Sequence, residues 1–519
     1  MKIRIPVLWT WVVLIHSAAF LVFWLTNTTF YIETNNFLTK MIGIKLDYIS
    51  YCLMFSSMLV GWSLVRVLLR WRSPKPASWW VKLGDWLYAI LGVIYMFFFY
   101  GSFYMLFHES PGQKIRLIQL LAYFRVILDP LLLLGVAVLA ASWIHGKALG
   151  WKRAAPILIV LVILWSLVLA FPPSSVIRGK LPEKPLLVAH RGADALEPEN
   201  TLAAARAAAE SGVYGQEMDV QMSADGQLFL MHDDTLSRTT NVEIVYPQRI
   251  KDKAGTFTWE ELSRLDAGSW FSQDDPFGTI RKDKVNSEQV EQFTGEPIPT
   301  FREWLGVLKT SGQVFLYDVK STGDDPAGQS AVFEATLRQI AEADLAEQSW
   351  ILAGSDQTTL VRDILPEAKL AYGVDDKSIP TAVKLHIGGY QVVNAEYILP
   401  VKSFLDFQKE GYWVNIYTVD EAWQYSRLWI LGVNSTTTDN LTGLMALKNP
   451  AFSVPYVIYA LLLVVVGVIA IGINRLLERS LVHPPGGTTF RESLGGTPQA
   501  MRAGVFHSIN IKNIRIFRS

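Results

Sequence analysis

LLVAHRGADALEPENTLAAARAAAESGVYGQEMDVQMSADGQLFLMHD, residues 186–233, sets two histidines, an arginine and a spaced pair of carboxylates on strand-like and turn-like sequence. The apolar run from Leu186 to Ala189 reads as a buried parallel strand. His190, Arg191 and Gly192 follow at its carboxyl end, where polar side chains can reach a ligand. Glu217 and Asp219 lie two apart in a second strand-like run, so period-two geometry puts both carboxylates on one face. Two aligned carboxylates suit a hard divalent cation. Asp225-Gly226 reads as a two-residue hairpin turn. Pairing outward from it sets Asp219 opposite His232 and brings the second histidine back to the carboxylates.

Outside this stretch, composition divides the chain. The 47 Lys plus Arg balance 47 Asp plus Glu, which leaves none of the basic excess of a nucleic-acid binder. Half of the residues are apolar, and they cluster in long, nearly uncharged runs in the first third and once near the end. Membrane spans are expected at residues 7–25, 48–69, 86–107, about 120–144 and 156–171, with a sixth at about 452–473. The first follows Lys2 and Arg4 and lacks a small-residue cleavage site, so it reads as an uncleaved span. Trp9, Trp71, Trp79, Trp80, Trp86 and Trp151 sit near span ends, as an aromatic belt would. The basic residues beside alternating spans fall mostly on one side. An odd five spans before residue 172 then place the following domain outside the cytoplasm of a multi-pass cell-membrane protein. Arg125 and Asp129, four apart in the fourth span, read as an intrahelical ion pair near the membrane surface. A lipid-headgroup or substrate contact is the sharper alternative. The single cysteine, Cys52, lies in an apolar run and offers neither a disulfide framework nor a thiolate metal site.

Residues 1–171 therefore form a membrane domain of about five helices, 172–449 a soluble domain, 450–475 a last span and 476–519 a disordered tail. Within the soluble domain, apolar strand candidates fall at 186–189, 216–220, 314–319, 350–353, 370–373, 391–394, 413–419 and 432–437. Helix-like stretches separate most of them, the pattern of a parallel α/β sheet of single-barrel size. The first such helix, at 201–210, takes Asn200 as its N-cap and Gly212 as its stop. Residues 239–299 read as a long insertion at the barrel mouth, where such segments shape access.

The ordered set HRG (190–192), PENT (198–201), ExD (Glu217, Asp219), DG (225–226) and HD (232–233) resembles the glycerophosphodiester phosphodiesterase family. RTTN (238–241), LDAGSWF (265–271), IPTFREWL (298–305) and TTTD (436–439) extend the resemblance over about residues 184–449. The chain is similar to membrane-anchored members of bacterial type with an N-terminal transmembrane domain. The implied fold is a multi-span α-helical membrane domain joined to an α/β (β/α)8 TIM-type barrel. The implied reaction is hydrolysis of glycerophosphodiesters to glycerol phosphate and an alcohol, in which the glycerol 2-hydroxyl attacks phosphorus and water then opens the cyclic phosphate.

Each requirement of that chemistry has a candidate. Glu217, Asp219 and Asp318 would hold a divalent cation, and an all-oxygen set favours Ca²⁺ or Mg²⁺ over zinc. The family usually has Glu where Asp318 stands, so a shorter arm must come closer or bind through water. His190 and His232 would exchange protons as general acid and base. Arg191 offers phosphate a bidentate fork and Lys320 a point charge. Glu199 either ligates metal or serves the positive end of the following helix. Tyr417 and Asp420 stand where the family commonly has Trp and Asn, which points to a different leaving group. Trp413, like Trp270, is either a substrate contact or core.

The resemblance implies a glycerophosphodiester, lysophospholipid or glycerolphosphate-polymer (teichoic acid) substrate, with membrane lipid as partner and no nucleic acid. A lipid-binding module on a degenerate barrel would have lost acid-base or metal residues, and the principal ones are all present. A transporter would show repeated broken helices, and the spans carry no clear internal repeat.

Overall fold

The computed structural model describes residues 175–482 apart from 321–325, 376–378 and 452, the segments 48–72, 111–146 and 151–170, and scattered positions before residue 94. The expected spans at 7–25 and 86–107 lie largely outside the described residues, as does the tail beyond Val482. The chain divides into two compact units, Met1–Pro130 with Leu167–Leu463, and Leu131–Ser166 with Val464–Ser519.

The larger unit contains the barrel. Its strands are β1 (Leu186–Ala189), β2 (Gly215–Met222), β4 (Val314–Val319), β5 (Ser349–Leu352), β6 (Lys369–Val374), β7 (Val392–Glu396), β8 (Trp413–Tyr417) and β9 (Ser435–Thr438). They pair in parallel in chain order and close through β9 on β1 and β1 on β2. One short strand, β3 (Leu228–Leu230), runs antiparallel beside β2. All eight expected barrel strands are therefore found, with ends shifted by a few residues.

Alternation along each strand decides which side chains face the barrel axis. In β2, Met218 and Val220 pack outward with the helices, as do Phe315 and Tyr317 of β4. Glu217 and Asp219, and Leu316 with Asp318, are left facing inward. Helix α4 (Leu202–Glu210) covers β1 and β2 with Ala204, Ala205 and Ala208 buried, small residues that let the helix lie close. Its N-cap is Thr201, whose hydroxyl accepts from the Ala204 amide, rather than the expected Asn200. Asn200 has φ +55, so it turns the chain instead of capping it. Helix α5 (Phe301–Ser311) starts in a Thr300–Glu303 capping box and stops at Gly312, φ +69.

Trp413 opens β8 at the amino end of the barrel, away from the carboxyl ends where the candidate residues converge. It stacks on Tyr214 at 5.8 Å and donates to the Ser435 hydroxyl at 2.9 Å. With Trp350 and Leu316 it plugs the barrel floor, so the substrate-contact alternative is set aside.

The hairpin after β2 departs from expectation by one residue. Val220 pairs with Leu230 and Met222 with Leu228, which puts Asp219 beside Met231 rather than His232. Of the two turn residues Gly226 alone has positive φ (+88), so the turn is a three-residue loop. That loop type changes the register by one. The insertion is itself packed around Phe229, Phe257 and Leu262, with a second cluster at Phe271, Val285 and Phe293.

Helices α1 (Tyr48–Arg72), α2 (Pro111–Gly146) and α3 (Trp151–Ala170) cover three of the expected spans. Arg125 and Asp129 of α2 form an ion pair at 3.0 Å, the simpler of the two readings. The last helix, α7 (Tyr456–Val482), contains Tyr456–Arg475, which among the described residues is the one stretch long and apolar enough to cross a membrane. It runs past the expected end at 475 because no breaker occurs before Pro484.

Candidate active site

A glycine-dependent turn brings the site together. Past β1 the chain turns through Arg191 (φ +50) and Gly192 (φ +81). A Cβ on Gly192 would sit 2.7 Å from the Ala204 carbonyl carbon, so only glycine lets the strand end lie against α4. The Arg191 amide donates to Glu217 at 3.0 Å, which ties the HRG turn to β2.

His190 is held by carboxylates from opposite ends of the sequence. Its Nδ1 lies 2.6 Å from Asp439 Oδ1 and 3.5 Å from Asp194 Oδ2. Asp439 follows β9, and closure of the barrel places that strand beside β1. The carboxylate at Nδ1 assigns the Nδ1–H tautomer, with Nε2 on the side of Glu217 at 3.9 Å. Burial alone would push the His190 pKa down, but Asp439, Asp194 and Glu217 outweigh it and hold it well above the usual value.

His232 repeats the arrangement. Its Nδ1 lies 2.8 Å from Asp233, and Arg238 grips Asp233 at 2.6 Å. Arg238 also pairs with Glu199 at 2.7 Å, and Glu199 with Arg191 at 2.9 Å. Glu199 is thus occupied by two guanidiniums and is not placed as a metal ligand. Burial works against its ionisation, yet the two arginines keep its pKa below the usual carboxylate range. Gln221 secures the arm carrying His232 by donating to the Met231 and Asp233 carbonyls.

Between the histidines lie the acids. The β2–β4 register sets Asp219 directly beside Asp318. Lys320 reaches both, at 3.0 Å to Asp219 and 2.6 Å to Asp318. Asn200 donates to Asp219 Oδ2 at 2.8 Å and accepts from the Asp219 amide, so it orients the carboxylate instead of a helix end. Burial raises the Glu217 pKa to about 7, with the charge of Asp219 adding to it and His190 and Arg191 offsetting in part. Three inward oxygen donors, one of them short of positive charge, fit a divalent cation. Among the described residues, the grouping whose ligand atoms all lie within 4.8 Å of one another is a different one, His190 with Asp194 and Asp439. Its members are already engaged through Nδ1, so we read it as the support that orients His190.

One cavity of about 800 Å³ at the carboxyl end of the barrel is lined by His190, Arg191, Glu217, Asp219, His232, Asp318, Lys320 and Tyr417. Its opposite wall carries Ser355, Asp356, Tyr372, Lys384 and Asn394. The seven catalytic, phosphate and metal candidates thus share one space. His232 reaches it although the hairpin register differs, because it stands beyond the last ladder pair. Sequence reasoning gave Asp194, Asp439 and Arg238 no role. Asp439 was within reach of it, since a closed barrel returns the last strand to the first.

Residues 190–442 match the model of the glycerophosphoryl diester phosphodiesterase family. The glycerophosphoinositol inositolphosphodiesterase GDPD2 of Mus musculus is 32% identical over 281 residues, 53% of this chain and 50% of that protein. The glycerophosphodiester phosphodiesterase domain-containing protein 5 of Gallus gallus is 31% identical over 335 residues, 62% of this chain and 54% of that protein. A solved phosphodiesterase of Oleispira antarctica, in complex with the product sn-glycerol-3-phosphate, aligns at TM-score 0.41 and 24% identity over 50% of this chain and 96% of that one. The chain spans about half the length of the curated relatives it matches. These two relatives are vertebrate proteins and lend no support to a specifically bacterial type. The barrel, its paired histidines and the match to the family model fall on the same segment: residues 190–442 resemble the glycerophosphoryl diester phosphodiesterase family in sequence and in site.

Proposed function

We propose that the chain hydrolyses glycerophosphodiesters to glycerol phosphate and an alcohol at a membrane surface, with Ca²⁺ or Mg²⁺ held by Glu217, Asp219 and Asp318. The observation that carries this reading is the meeting of two carboxylate-braced histidines, two basic side chains and three acids around one cavity. When bound, the cation would supply Lewis-acid polarisation of the phosphoryl oxygens.

The protein's own groups do the rest. Arg191 and Lys320 neutralise the phosphate and fix its orientation. With Nδ1 of each imidazole engaged by a carboxylate, Nε2 is the atom that exchanges protons with substrate. One histidine takes the proton of the glycerol 2-hydroxyl as its oxygen bonds to phosphorus. The other gives a proton to the departing alcohol oxygen as its bond to phosphorus breaks. Water then opens the cyclic phosphate with the roles reversed. The scheme requires a free 2-hydroxyl, so glycerophosphodiesters, 1-acyl lysophospholipids and glycerolphosphate polymers with a free 2-hydroxyl qualify, and diacyl phospholipids do not. Tyr417 lines the same cavity, and its hydroxyl, driven up in pKa by burial and then by Glu396, stays protonated.

The apolar helices and the outward-facing Leu131, Leu132, Ile159, Val162, Val464 and Val468 support an integral, multi-pass membrane protein. The basic residues beside the spans support an extracytoplasmic barrel.

The test is hydrolysis of glycerophosphocholine, a lysophospholipid and a glycerolphosphate polymer with Ca²⁺, Mg²⁺ or EDTA, by wild type, His190→Ala and His232→Ala. Loss of turnover in both variants and in EDTA is expected. Unaltered hydrolysis in both variants would remove the acid-base pair.

A further inference from the structure

The rim where the cavity opens is gripped by a helix whose remainder is apolar. Nε2 of Gln119 in α2 donates 3.0 Å to the carbonyl of Tyr397, the first residue past β7. Four residues on, the Tyr123 hydroxyl donates 2.8 Å to the carbonyl of Trp423, in the first turn of helix α6 (Ala422–Ile430). Their rings meet edge-on with centroids 6.0 Å apart. Tyr397 in turn donates its amide to the carbonyl of Tyr417 at 2.9 Å, and Tyr417 is a wall of the cavity. Two successive hydrogen bonds, through Gln119 and Tyr397, therefore join α2 to the cavity wall at Tyr417, and Tyr123 ties the same helix to the segment that follows β8. All of these residues belong to the larger unit.

The length of α2 says where that grip lies. Its 36 residues span about 54 Å at about 1.5 Å per residue, against about 30 Å of hydrocarbon. About 24 Å, more than two fifths of the helix, must then lie outside the apolar layer. The first third is the polar one, with Lys114 and Arg116 in its sequence, whereas no Asp, Glu, Lys or Arg occurs from residue 130 to 146. Gln119 and Tyr123 are then at headgroup depth. Independently, the rim after β6 exposes Ile379 (45%) and Val383 (67%), and the neighbouring Lys384 lines the cavity. Large apolar side chains beside a lysine suit the boundary between acyl chains and headgroups.

We infer that Gln119 and Tyr123 are positioning residues that hold the mouth of the cavity against the bilayer surface. A 1-acyl lysophospholipid can then present its glycerophosphodiester head to the histidines while its chain stays in the membrane. The inference rests on the phosphodiesterase reading above and adds the physical state of the substrate.

The test uses the full chain reconstituted in diacyl phosphatidylcholine vesicles, which lack the free 2-hydroxyl and serve as inert carrier. Wild type, Gln119→Leu, Tyr123→Phe and the double variant are compared on vesicle-embedded 1-acyl lysophosphatidylcholine and on dissolved glycerophosphocholine. Tyr123→Phe keeps the ring against Trp423 and removes only the hydroxyl. The ratio of membrane to dissolved turnover is expected to fall about tenfold in the double variant, with turnover of the dissolved diester retained as the check on folding. Equal loss on both substrates, or no change in the ratio, overturns the inference. Wild type inactive on both substrates would instead overturn the phosphodiesterase reading.

Discussion

His190 and Asp439, 249 positions apart in sequence, are joined by a 2.6 Å contact between Nδ1 and Oδ1. The contact exists because the barrel closes: Thr438 pairs with Ala189, and the residue after each strand meets its counterpart. Asp439→Asn keeps the shape but removes the charge that fixes the Nδ1–H tautomer. We expect kcat to fall about 10²- to 10⁴-fold, by analogy with other histidines deprived of their carboxylate. KM for glycerophosphocholine should change little, since Asp439 acts through His190. A matched fall in kcat/KM carried by KM alone would assign Asp439 to binding.

Gly192 faces the Ala204 backbone at van der Waals limit and carries φ +81. Gly192→Ala adds a methyl to a place with no room and a conformation that alanine resists. The expected loss is about 1–3 kcal/mol of stability, read as a lower unfolding temperature in detergent. Turnover should drop as well, because the same turn aims His190 and the Arg191 amide. An unchanged unfolding temperature would mean that α4 yields freely and that the HRG glycine is dispensable.

How much of this could be read from the residues alone follows the range of the interactions. The period-two spacing of Glu217 and Asp219 is local, and the structure keeps both on the inner face. The pairing of Asp219 with Asp318 follows once β2 and β4 are neighbours in a parallel sheet. The hairpin failed by one residue because Asp225-Gly226 is compatible with either a two- or a three-residue loop, and the choice rests on φ at Asp225. Asn200 was misread because a residue one before Thr201 has equal claim to the cap. The structure spends its amide on Asp219, a partner 19 residues away. Glu199 shows the same limit, since nothing in PENT announces that Arg238 will reach it from the insertion.

Glu197 makes the stability of the domain depend on pH. Burial raises its pKa to about 7, with Glu296 and Glu210 adding to it and a 3.4 Å hydrogen bond from Gln289 opposing. Between the ordinary value of 4.5 and about 7 the folded protein binds a proton there that the unfolded chain releases. Stability contributed by this group is therefore present at the acid end of that window and lost as pH rises through it. After allowance for solvent screening the effect is about 1–2 kcal/mol. Glu197→Gln should unfold at a higher temperature than wild type near pH 8, with the advantage gone near pH 5. Parallel unfolding curves for the two proteins across that range would refute the assignment.

Asp318 is the acid on which the cation reading depends most, because it stands on the shorter arm and is bound to Lys320. Its side chain is 42% exposed, against 1% for Asp219, so it has room to turn toward an ion. Asp318→Asn should raise the concentration of Ca²⁺ or Mg²⁺ needed for half-maximal turnover by at least about tenfold. Asp318→Glu restores the longer carboxylate and should lower that concentration relative to Asp318→Asn. Lys320 supplies the contrast, since Lys320→Met frees Asp219 and Asp318 from a competing positive charge and should lower that concentration while raising KM. Isothermal titration of cation without substrate separates the two effects, because it reads ligation alone. If Asp318→Asn binds cation as wild type does, Asp318 serves Lys320 only, and the third oxygen donor must come from elsewhere on the inner face.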